Sequence, residues 1–299
     1  MSASCSADKR NATAIFAIYP ALMGTTADNC PLRLRIYSIT SWLLRRGLVV
    51  TRAVFDGAWL GVLDYEATHA LDETYYDEAR QYTDEAYNRS GLLSWEREAV
   101  DRFFADRCRI VVTGAGGGRE VLALLELGYD AVGYEPNEGL VRFGEDLLAS
   151  TCRPGRLRPA DRDTWPRDAD ACDGVIVGWG SYMLIRGRER RVAFLRGARS
   201  GLQAGAPLLL SFFPRSGKPG YLRVVARVGN AIRRLRGATP LDFGDALDPN
   251  YVHYFDRREI DSELGEAGFS LAWYDASGYG KAVGLAAGDG DGDGDGASA

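Results

Sequence analysis

The chain has 299 residues, of which 46% are hydrophobic, and a formal net charge of −5 at pH 7. This length suits one large α/β domain with additions, or two domains, and the hydrophobic share is ordinary for a protein with a buried core. The negative charge argues against general nucleic-acid binding, so we expect no nucleic-acid partner.

The cysteines are scattered and form neither a C-x-x-C pair nor an iron–sulfur spacing: Cys5, Cys30, Cys108, Cys152 and Cys172. Free thiols in a reducing cytoplasm are the simplest interpretation, and we expect a cytoplasmic protein. The two histidines, His69 and His253, show no metal-ligand spacing, so we expect no metal site.

Two apolar stretches occur before residue 51, and each is interrupted. Pro20 lies in the stretch 12–23, which no convincing cleavage site follows, and Arg45 and Arg46 break the stretch 36–50. We therefore expect neither a secretory signal nor stable insertion into a membrane. Residues 1–30, with Ser, Asn, Thr and Asp throughout, are predicted to be an irregular tail.

Residues 31–106 are predicted to form a helical extension. Apolar residues recur at three- and four-residue spacing over Leu32–Phe55, and Trp59–Leu63 extends this pattern. The segment Leu71–Trp95 is aromatic and acidic, and a predicted helix over Ser94–Ala105 leads into the first strand. The tyrosines of this segment either pack it on the main domain or form a lid over a ligand: Tyr75, Tyr76, Tyr82 and Tyr87.

The stretch Arg109–Asn137 has the pattern of one βαβ unit. Strand, glycine-rich turn, helix, strand and acid follow one another over Ile110–Thr113, Gly114–Gly118, Arg119–Leu127, Ala131–Tyr134 and Glu135. Glycines permit a tight turn and the close approach of a ligand to the main chain, and the helix N-terminus offers free N–H groups. A carboxylate at the tip of the second strand, about 20 residues after the first glycine, suits the binding of ribose hydroxyls.

The glycines follow the pattern G-x-G-x-G at Gly114, Gly116 and Gly118. The dinucleotide fingerprint G-x-G-x-x-G would need its third glycine where Arg119 stands. The observed pattern resembles motif I of class I S-adenosylmethionine-dependent methyltransferases, although the acid that this family often has two residues before the first glycine is Val112 here. The resemblance implies S-adenosylmethionine as the cofactor, held by Gly114, Ala115, Gly116, Gly118, Glu135 and Asn137.

The residues after the second strand extend this resemblance. A helix is predicted over Asn137–Ala149, and Leu157 marks a short third strand. The family places an Asp near the adenine amino group, for which Asp161 fits the layout better than Asp163, with Trp165 as a stacking partner. A solvated acidic loop is the alternative.

A buried strand in Asp173–Gly180 resembles motif IV of the same family, and a helix over Arg188–Gly201 and a strand over Leu208–Phe213 follow. Because open α/β sheets bind ligands at the carboxyl ends of their strands, we expect Gly178, Trp179, Gly180 and Ser181 at the ligand-binding edge, with Trp179 and Gly180 beside the cofactor. The candidates for substrate contact are Tyr76, Tyr82 and Tyr182.

Residues 214–250 are predicted to be an insertion, with a cap over the active site as one possible role. Within it, Tyr221–Gly237 alternates apolar residues with arginines and has the pattern of a basic amphipathic helix. These arginines form either a solvated face or a surface that attracts an anionic substrate or a membrane.

The last part of the chain returns to the sheet. His253 is a candidate general base, with a structural role as the alternative, and it precedes a helix over Glu259–Ala267. Strands over Phe269–Tyr274 and Lys281–Ala286 are joined by a short turn, which makes the last strand antiparallel. Residues 288–299, with the repeat GDGDGDGDG, are predicted to be disordered.

The sequence thus predicts an α/β fold over residues 107–287: a seven-stranded, mostly parallel Rossmann-like sheet with an antiparallel last strand and an N-terminal helical extension. The resemblance implies a methyltransferase that acts on a small molecule. An NAD(P)-dependent oxidoreductase and a non-catalytic binding module on the same fold are the alternatives. The sequence is also compatible with a homodimer.

Overall fold

A computed structural model of the chain describes residues 31–288. The predicted tail 1–30 and nearly all of the predicted tail 288–299 lie outside this range. The chain divides into two units, residues up to Arg52 and residues from Ala53 onward. The first helix, α1 (Leu32–Val62), begins in the first unit and ends in the second.

The centre of the second unit is a parallel sheet. Its strands are β1 (Arg109–Thr113), β2 (Asp130–Glu135), β3 (Leu157–Pro159), β4 (Gly174–Val177) and β5 (Pro207–Pro214), in the spatial order β3-β2-β1-β4-β5. Each neighbouring pair is parallel. Residues 110–113 of β1 are all buried, as expected of a parallel strand that is covered on both faces.

Four further strands occur in the described part of the chain: β6 (Asp245–Leu247), β7 (Tyr251–Phe255), β8 (Phe269–Asp275) and β9 (Gly280–Ala286). β9 lies antiparallel to both β5 and β8, which confirms the predicted antiparallel last strand. The seven predicted strands are present. β6 and β7 are additions, because β7 pairs with the end of β5 at Phe213 and Pro214, and β6 pairs with β7.

Helices cover the sheet and connect its strands. They are α2 (Tyr65–Glu78), α3 (Glu85–Asn88), α4 (Ser94–Phe103), α5 (Arg119–Glu126), α6 (Glu138–Ser150), α7 (Arg188–Ser200), α8 (Pro219–Leu235) and α9 (Arg257–Glu266). Short 3₁₀ turns occupy Arg80–Thr83, Ser181–Leu184 and Arg215–Gly217. The carboxylate of Asp256 accepts a hydrogen bond from the N–H of Glu259 and so caps the start of α9.

The predicted basic helix is α8, and not all of its arginines are solvated. Arg223, Arg227 and Arg234 are exposed, whereas Arg233 is buried. The guanidinium of Arg233 donates to the carbonyl oxygens of Leu60 and Leu63, at 3.0 and 2.9 Å. It therefore satisfies carbonyl groups at the end of α1 that have no partner within that helix.

Within residues 31–288, no helix combines the length and the apolar character needed to cross a membrane.

Candidate functional site

A cavity of about 300 Å³ opens beside the carboxyl ends of β1, β2 and β4. This is the position at which open α/β sheets bind ligands. Most of the residues predicted from the sequence line it: Gly114, Gly116, Glu135, Asn137, Asp161, Trp179, Tyr76 and Tyr82. Its volume lies at the lower end of the range for small-molecule sites.

The glycine-rich turn forms one wall of the cavity. Gly114, Gly116 and Gly118 all have positive φ, at 61°, 55° and 91°, a conformation that side chains disfavour. No atom lies within 4 Å of the position that a Cβ of Gly116 would occupy, so the main chain there faces open space. Gly118 lies at the N-cap of α5 and Ala115 is buried beneath the turn, so neither residue lines the cavity.

Glu135 lies at the tip of β2 with its carboxylate fixed on both sides. One oxygen accepts the N–H of Gly116 at 2.8 Å and the other accepts the N–H of Asn137 at 2.9 Å. A carboxylate has about four acceptor positions, so further hydroxyl donors can still bind. Burial raises the pKa of Glu135 to about 6, although the two N–H donors oppose this rise.

The aromatic segment Leu71–Trp95 contacts the glycine-rich turn directly. A Cβ on Gly117 would lie 2.3 Å from the carbonyl oxygen of Tyr82, so the two main chains are in close contact. The side-chain amide of Asn88 holds this carbonyl at 2.9 Å. Asn137, the cap of α6, joins the same segment by donating to Asp77 at 3.0 Å.

Tyrosines form a connected row along this segment. The ring centroids of Tyr75 and Tyr76 lie 5.3 Å apart, those of Tyr76 and Tyr82 lie 5.2 Å apart, and those of Tyr82 and Tyr87 lie 6.2 Å apart. Burial raises the pKa of Tyr76 and of Tyr82 above the usual value, so both rings carry neutral hydroxyl groups. The segment therefore packs on the main domain, and two of its tyrosines, Tyr76 and Tyr82, also line the cavity.

Arg119 stands where a dinucleotide site would have its third glycine, and it is fully buried. Its guanidinium pairs with both oxygens of Glu96 at 2.7 Å and with Glu120 at 2.6 Å. It also donates to the carbonyl oxygen of Gly91 at 2.9 Å and lies over the ring of Tyr87. Arg119 therefore connects the start of α5 to the helical extension.

The loop after β3 contributes a second buried ion pair, between Arg162 and Asp72. Burial raises the pKa of Asp72 to about 6, and Arg162 opposes the rise. Asp161 is exposed and lines the cavity, as does Asp163, which has a φ of 56° and accepts a hydrogen bond from Tyr65 at 2.9 Å.

The structure does not place Trp165 in this cavity. Its ring packs on α7, where a Cβ on Gly197 would lie 2.4 Å from the Cβ of Trp165 and where Phe194 forms an edge contact. It lines a separate cavity of about 230 Å³ with Tyr65 and Arg190. Trp165 is therefore not positioned to stack on a ligand in the main cavity.

The end of β4 carries the predicted residues Trp179 and Gly180. Trp179 lines the cavity and forms an edge contact with Tyr279 at 5.2 Å. Gly180 lies behind the wall, where its N–H donates to the hydroxyl of Ser211 at 2.8 Å. Ser181 lines the cavity, and its hydroxyl donates to the carbonyl oxygen of Gly114 at 3.2 Å.

Tyr182, predicted to contact the substrate, lies in the core rather than in the cavity. It is fully buried, stacks on Phe255 at 5.3 Å and donates its hydroxyl to Glu263 at 2.5 Å. Tyr182 follows β4 in a 3₁₀ turn that carries Ser181 to the cavity and directs the next side chain inward.

His253, the candidate base, also lies outside the cavity. It is fully buried, and its ring nitrogens bond to Asp245 at 2.7 Å and to Glu259 at 2.9 Å. Burial alone would lower the pKa of His253, but these two carboxylates raise it above the usual value. Because both nitrogens are engaged, the geometry supports the structural alternative for His253.

Asp242, Asp245 and His253 place one potential metal-ligand atom each within 4.8 Å of the others. These atoms already have partners. His253 and Asp245 bond to each other, and Asp242 accepts the N–H of Arg188 at 3.1 Å. The cluster is therefore an internally satisfied polar network that fixes β6 against β7.

Several cavity residues were not anticipated from the sequence, among them Glu73, Arg162, Thr164 and Ile185. Arg162 stands between Asp161 and Asp163, the two candidates for the adenine contact, and its ion pair with Asp72 joins residues 90 positions apart in the sequence. No local pattern marks such a pair. Ser181, in contrast, directly follows the predicted end of the fourth strand and was expected at this edge of the sheet.

Solved structures share this fold at low sequence identity. An S-adenosylmethionine-dependent methyltransferase from Methanosarcina mazei is 15% identical, with a TM-score of 0.52 over 67% of this chain and 100% of that one. The CcbJ methyltransferase from Streptomyces caelestis is 16% identical, with a TM-score of 0.50 over 72% and 95%. The PH0226 protein from Pyrococcus horikoshii OT3 is 16% identical, with a TM-score of 0.53 over 71% and 98%.

These likenesses confirm, at the level of the fold, the resemblance to class I S-adenosylmethionine-dependent methyltransferases. No protein-family model matches the sequence, and no curated protein matches it.

Proposed function

We propose that this protein is an S-adenosylmethionine-dependent methyltransferase that acts on a small molecule. One observation carries the proposal: the open main chain at Gly116 and the buried carboxylate of Glu135 face the same cavity and are joined by a hydrogen bond of 2.8 Å. An adenosyl sulfonium needs both features, room for its amino-acid part and an acceptor for its ribose hydroxyls.

The residues present fit this cofactor. Glu135 would accept the ribose hydroxyls with the acceptor positions that Gly116 and Asn137 leave free. The glycine-rich turn would receive the methionine part, and Asp161 would approach the adenine amino group. Bound S-adenosylmethionine supplies a methyl group that is already activated by the positive sulfur.

The protein's own task is to orient the acceptor and exclude water. Tyr76 and Tyr82 line the cavity from the helical extension, and Trp179 lines it from the end of β4. Holding a nucleophile in line with the methyl group can contribute about 7–11 kcal/mol to lowering the barrier. The proposal assigns no base, because the nitrogens of His253 are already bonded to carboxylates.

A nicotinamide oxidoreductase fits this site less well. A dinucleotide diphosphate binds at the N-terminus of the helix that follows the first strand. In this chain that helix, α5, begins with Arg119, whose charge is already paired with Glu96 and Glu120.

A small acceptor is consistent with an overall charge of −5, which does not favour nucleic acid. A cytoplasmic location remains part of the proposal. The cysteines in the described range, Cys108, Cys152 and Cys172, are free thiols, as a reducing compartment would keep them.

Calorimetric titration of the full chain with S-adenosylhomocysteine and, separately, with NADH tests the proposal. We expect saturable binding of S-adenosylhomocysteine alone. Glu135→Ala should weaken this binding by about 1–3 kcal/mol, since hydrogen bonds to a charged group are lost. The matched control is Glu138→Ala, which removes a carboxylate that is 84% exposed and should leave the affinity unchanged.

Three results would count against the proposal. Binding of NADH without S-adenosylhomocysteine would favour the oxidoreductase, and binding of neither would favour a non-catalytic module. An unchanged affinity of Glu135→Ala for S-adenosylhomocysteine would refute the assignment of Glu135 to the ribose.

A further inference from the structure

The part of α1 in the first unit is apolar and uncovered. None of the residues from Leu32 to Arg52 is buried. Eleven large apolar side chains in this segment are 45% exposed or more: Leu32, Leu34, Ile36, Tyr37, Ile39, Trp42, Leu43, Leu44, Leu48, Val49 and Val50. Scattered apolar residues are normal on a protein surface, but a contiguous apolar patch of this kind marks an interaction site.

Six of these side chains share one side of the helix. Tyr37, Leu44 and Leu48 are separated by seven and four residues, and Ile36, Leu43 and Val50 by seven and seven. Spacings of three, four and seven place residues on the same face of an α-helix. These six residues form an apolar stripe along the helix.

The charge of the same segment is positive throughout. Arg33, Arg35, Arg45, Arg46 and Arg52 lie between residues 32 and 52, and that interval contains no Asp or Glu. The whole chain has a net charge of −5, so this segment is opposite in sign to the rest of the protein. The guanidinium of Arg46 lies 5.1 Å from the ring centroid of Trp42.

We propose that the segment Leu32–Arg52 binds the surface of an anionic lipid bilayer. A helix that presents an apolar face with Trp or Tyr, and that carries arginines without acids, has the composition of an interfacial helix. Aromatic residues such as Tyr37 and Trp42 favour the interface because one end of the ring is apolar and the other is polar. Arginines add attraction to anionic headgroups.

A second copy of the chain is a poorer partner for this segment. Pairing two such segments would bring two sets of arginines together without any acid to neutralise them, and like charges in proximity are destabilising. The helix is also not suited to cross a membrane, since no described helix is both long enough and apolar enough to do so. The segment is therefore inferred to lie along the surface rather than across the bilayer.

The second unit has features of its own that are compatible with a nearby anionic surface. Phe55 and Trp59 are 57% and 46% exposed at the end of α1. α8 packs on this part of α1, as the close contact of Gly57 with Val225 shows, and α8 exposes Arg223 and Arg227. These features belong to the second unit alone, and the proposal does not require them.

Vesicle co-sedimentation of the full chain tests the proposal. The probes are vesicles of phosphatidylcholine with phosphatidylglycerol and vesicles of phosphatidylcholine alone. We expect the protein to sediment with the anionic vesicles and to remain in solution with the neutral ones. Raised salt should release it, because surface charges are screened within about 10 Å at 0.1 M salt.

A charge-reversal variant separates specific attraction from general adhesion. In Arg45→Glu/Arg46→Glu the partition onto anionic vesicles should fall by at least about 25-fold, since each arginine near such a surface contributes roughly fivefold. The matched control is Arg257→Glu/Arg258→Glu, two adjacent exposed arginines at the start of α9, with the same change in net charge. The control should bind as the unchanged protein does.

A second variant tests the apolar stripe. Leu44→Ser/Leu48→Ser keeps every arginine and should also weaken sedimentation with anionic vesicles. Both residues are more than 60% exposed, so their replacement should not disturb the folded second unit, which a thermal unfolding scan will check.

Several outcomes would overturn the proposal. They are no binding to anionic vesicles, equal binding to neutral vesicles, or equal loss of binding in the two charge-reversal variants. A concentration-dependent dimer in light scattering that Leu44→Ser/Leu48→Ser abolishes, with no vesicle binding, would instead assign the stripe to a second copy. Tight vesicle binding that persists in Leu44→Ser/Leu48→Ser would also contradict the role given to the stripe.

Discussion

Glu135 is a buried carboxylate whose protonation should control ligand binding. Its pKa is raised to about 6 by burial, above the value of about 4.3 for an exposed Glu. Only the ionised form offers all of its acceptor positions to ribose hydroxyls. We therefore expect the affinity for S-adenosylhomocysteine to increase as the pH rises through about 6 and to become constant above pH 7.

Calorimetry between pH 5 and pH 8 will measure this dependence. Glu135→Gln keeps the shape but cannot ionise, so its affinity should be lower and should lack the rise near pH 6. Asp72 also has a pKa raised to about 6, and it lies in the ion pair with Arg162. Persistence of the rise in Glu135→Gln would assign the pH dependence to Asp72 rather than to Glu135.

Some residues of the candidate site could be predicted because their signals are local. Gly114, Gly116 and Glu135 belong to one βαβ unit, in which the turn, the helix and the strand fix where each residue points. Tyr182 and His253 lie outside such a unit. Their residue types suit catalysis, but whether a side chain faces the cavity or the core depends on packing between distant elements, which spacing along the chain does not reveal.

The contact between α1 and α8 depends on glycines. A Cβ on Gly57 would lie 2.7 Å from the carbonyl oxygen of Val225 and 3.1 Å from its Cα. Both atoms belong to the main chain of α8, so the helices would have to move apart. We expect Gly57→Ala to lower the free energy of unfolding by about 1–3 kcal/mol, the usual cost of overpacking.

Gly47→Ala is the matched control, in the same helix and with the same substitution. No atom lies within 4 Å of the position that its Cβ would occupy. Ala favours a helix over Gly by about 1 kcal/mol, so this variant should be as stable as the unchanged protein or slightly more stable. Thermal unfolding of both variants measures the difference, and equal stability would show that α1 and α8 are not in close contact.

The strands differ in how well the sequence predicted them. β1, β2 and β4 are short apolar runs rich in β-branched residues, and their shortness and flanking glycines favour buried strands over helices. Tyr251–Phe255 was not assigned to a strand, because His253 interrupts its apolar character and an insertion precedes it. β7 forms there because the end of β5, at Phe213 and Pro214, offers main-chain groups with which β7 pairs, and β6 then pairs with β7.

On the scale of the whole molecule, the helical extension and the sheet are joined through Arg119. Its partner Glu96 belongs to α4, and the side chains of both residues are only 2% exposed. The composition of the extension left packing and a lid as alternatives, and its position over the glycine-rich turn depends on this long-range pair. In the sequence, Arg119 indicates only that the glycine-rich turn departs from the dinucleotide-binding motif.

Removing the charge of Arg119 should therefore affect stability and ligand binding together. Arg119→Met would leave the buried carboxylates of Glu96 and Glu120 without their cation, and breaking a buried pair in this way costs about 3–5 kcal/mol. Urea unfolding should show a loss of this size at pH 8. The control Arg97→Met breaks the exposed pair with Asp101, at 2.8 Å, and should cost less than about 1 kcal/mol.

The double variant Arg119→Met/Glu96→Gln distinguishes the loss of a charge from the loss of packing. If the uncompensated carboxylate causes the instability, this variant should recover part of the lost free energy of unfolding, whereas a packing defect would not be relieved. Burial already raises the pKa of Glu96, so the single variant should be less destabilised at pH 5, where that group can take up a proton.

The calorimetric affinity of Arg119→Met for S-adenosylhomocysteine should fall as well, because the tyrosines that line the cavity belong to the segment that Arg119 fixes. An affinity equal to that of the unchanged protein would mean that this segment packs on the sheet without contributing to the binding site.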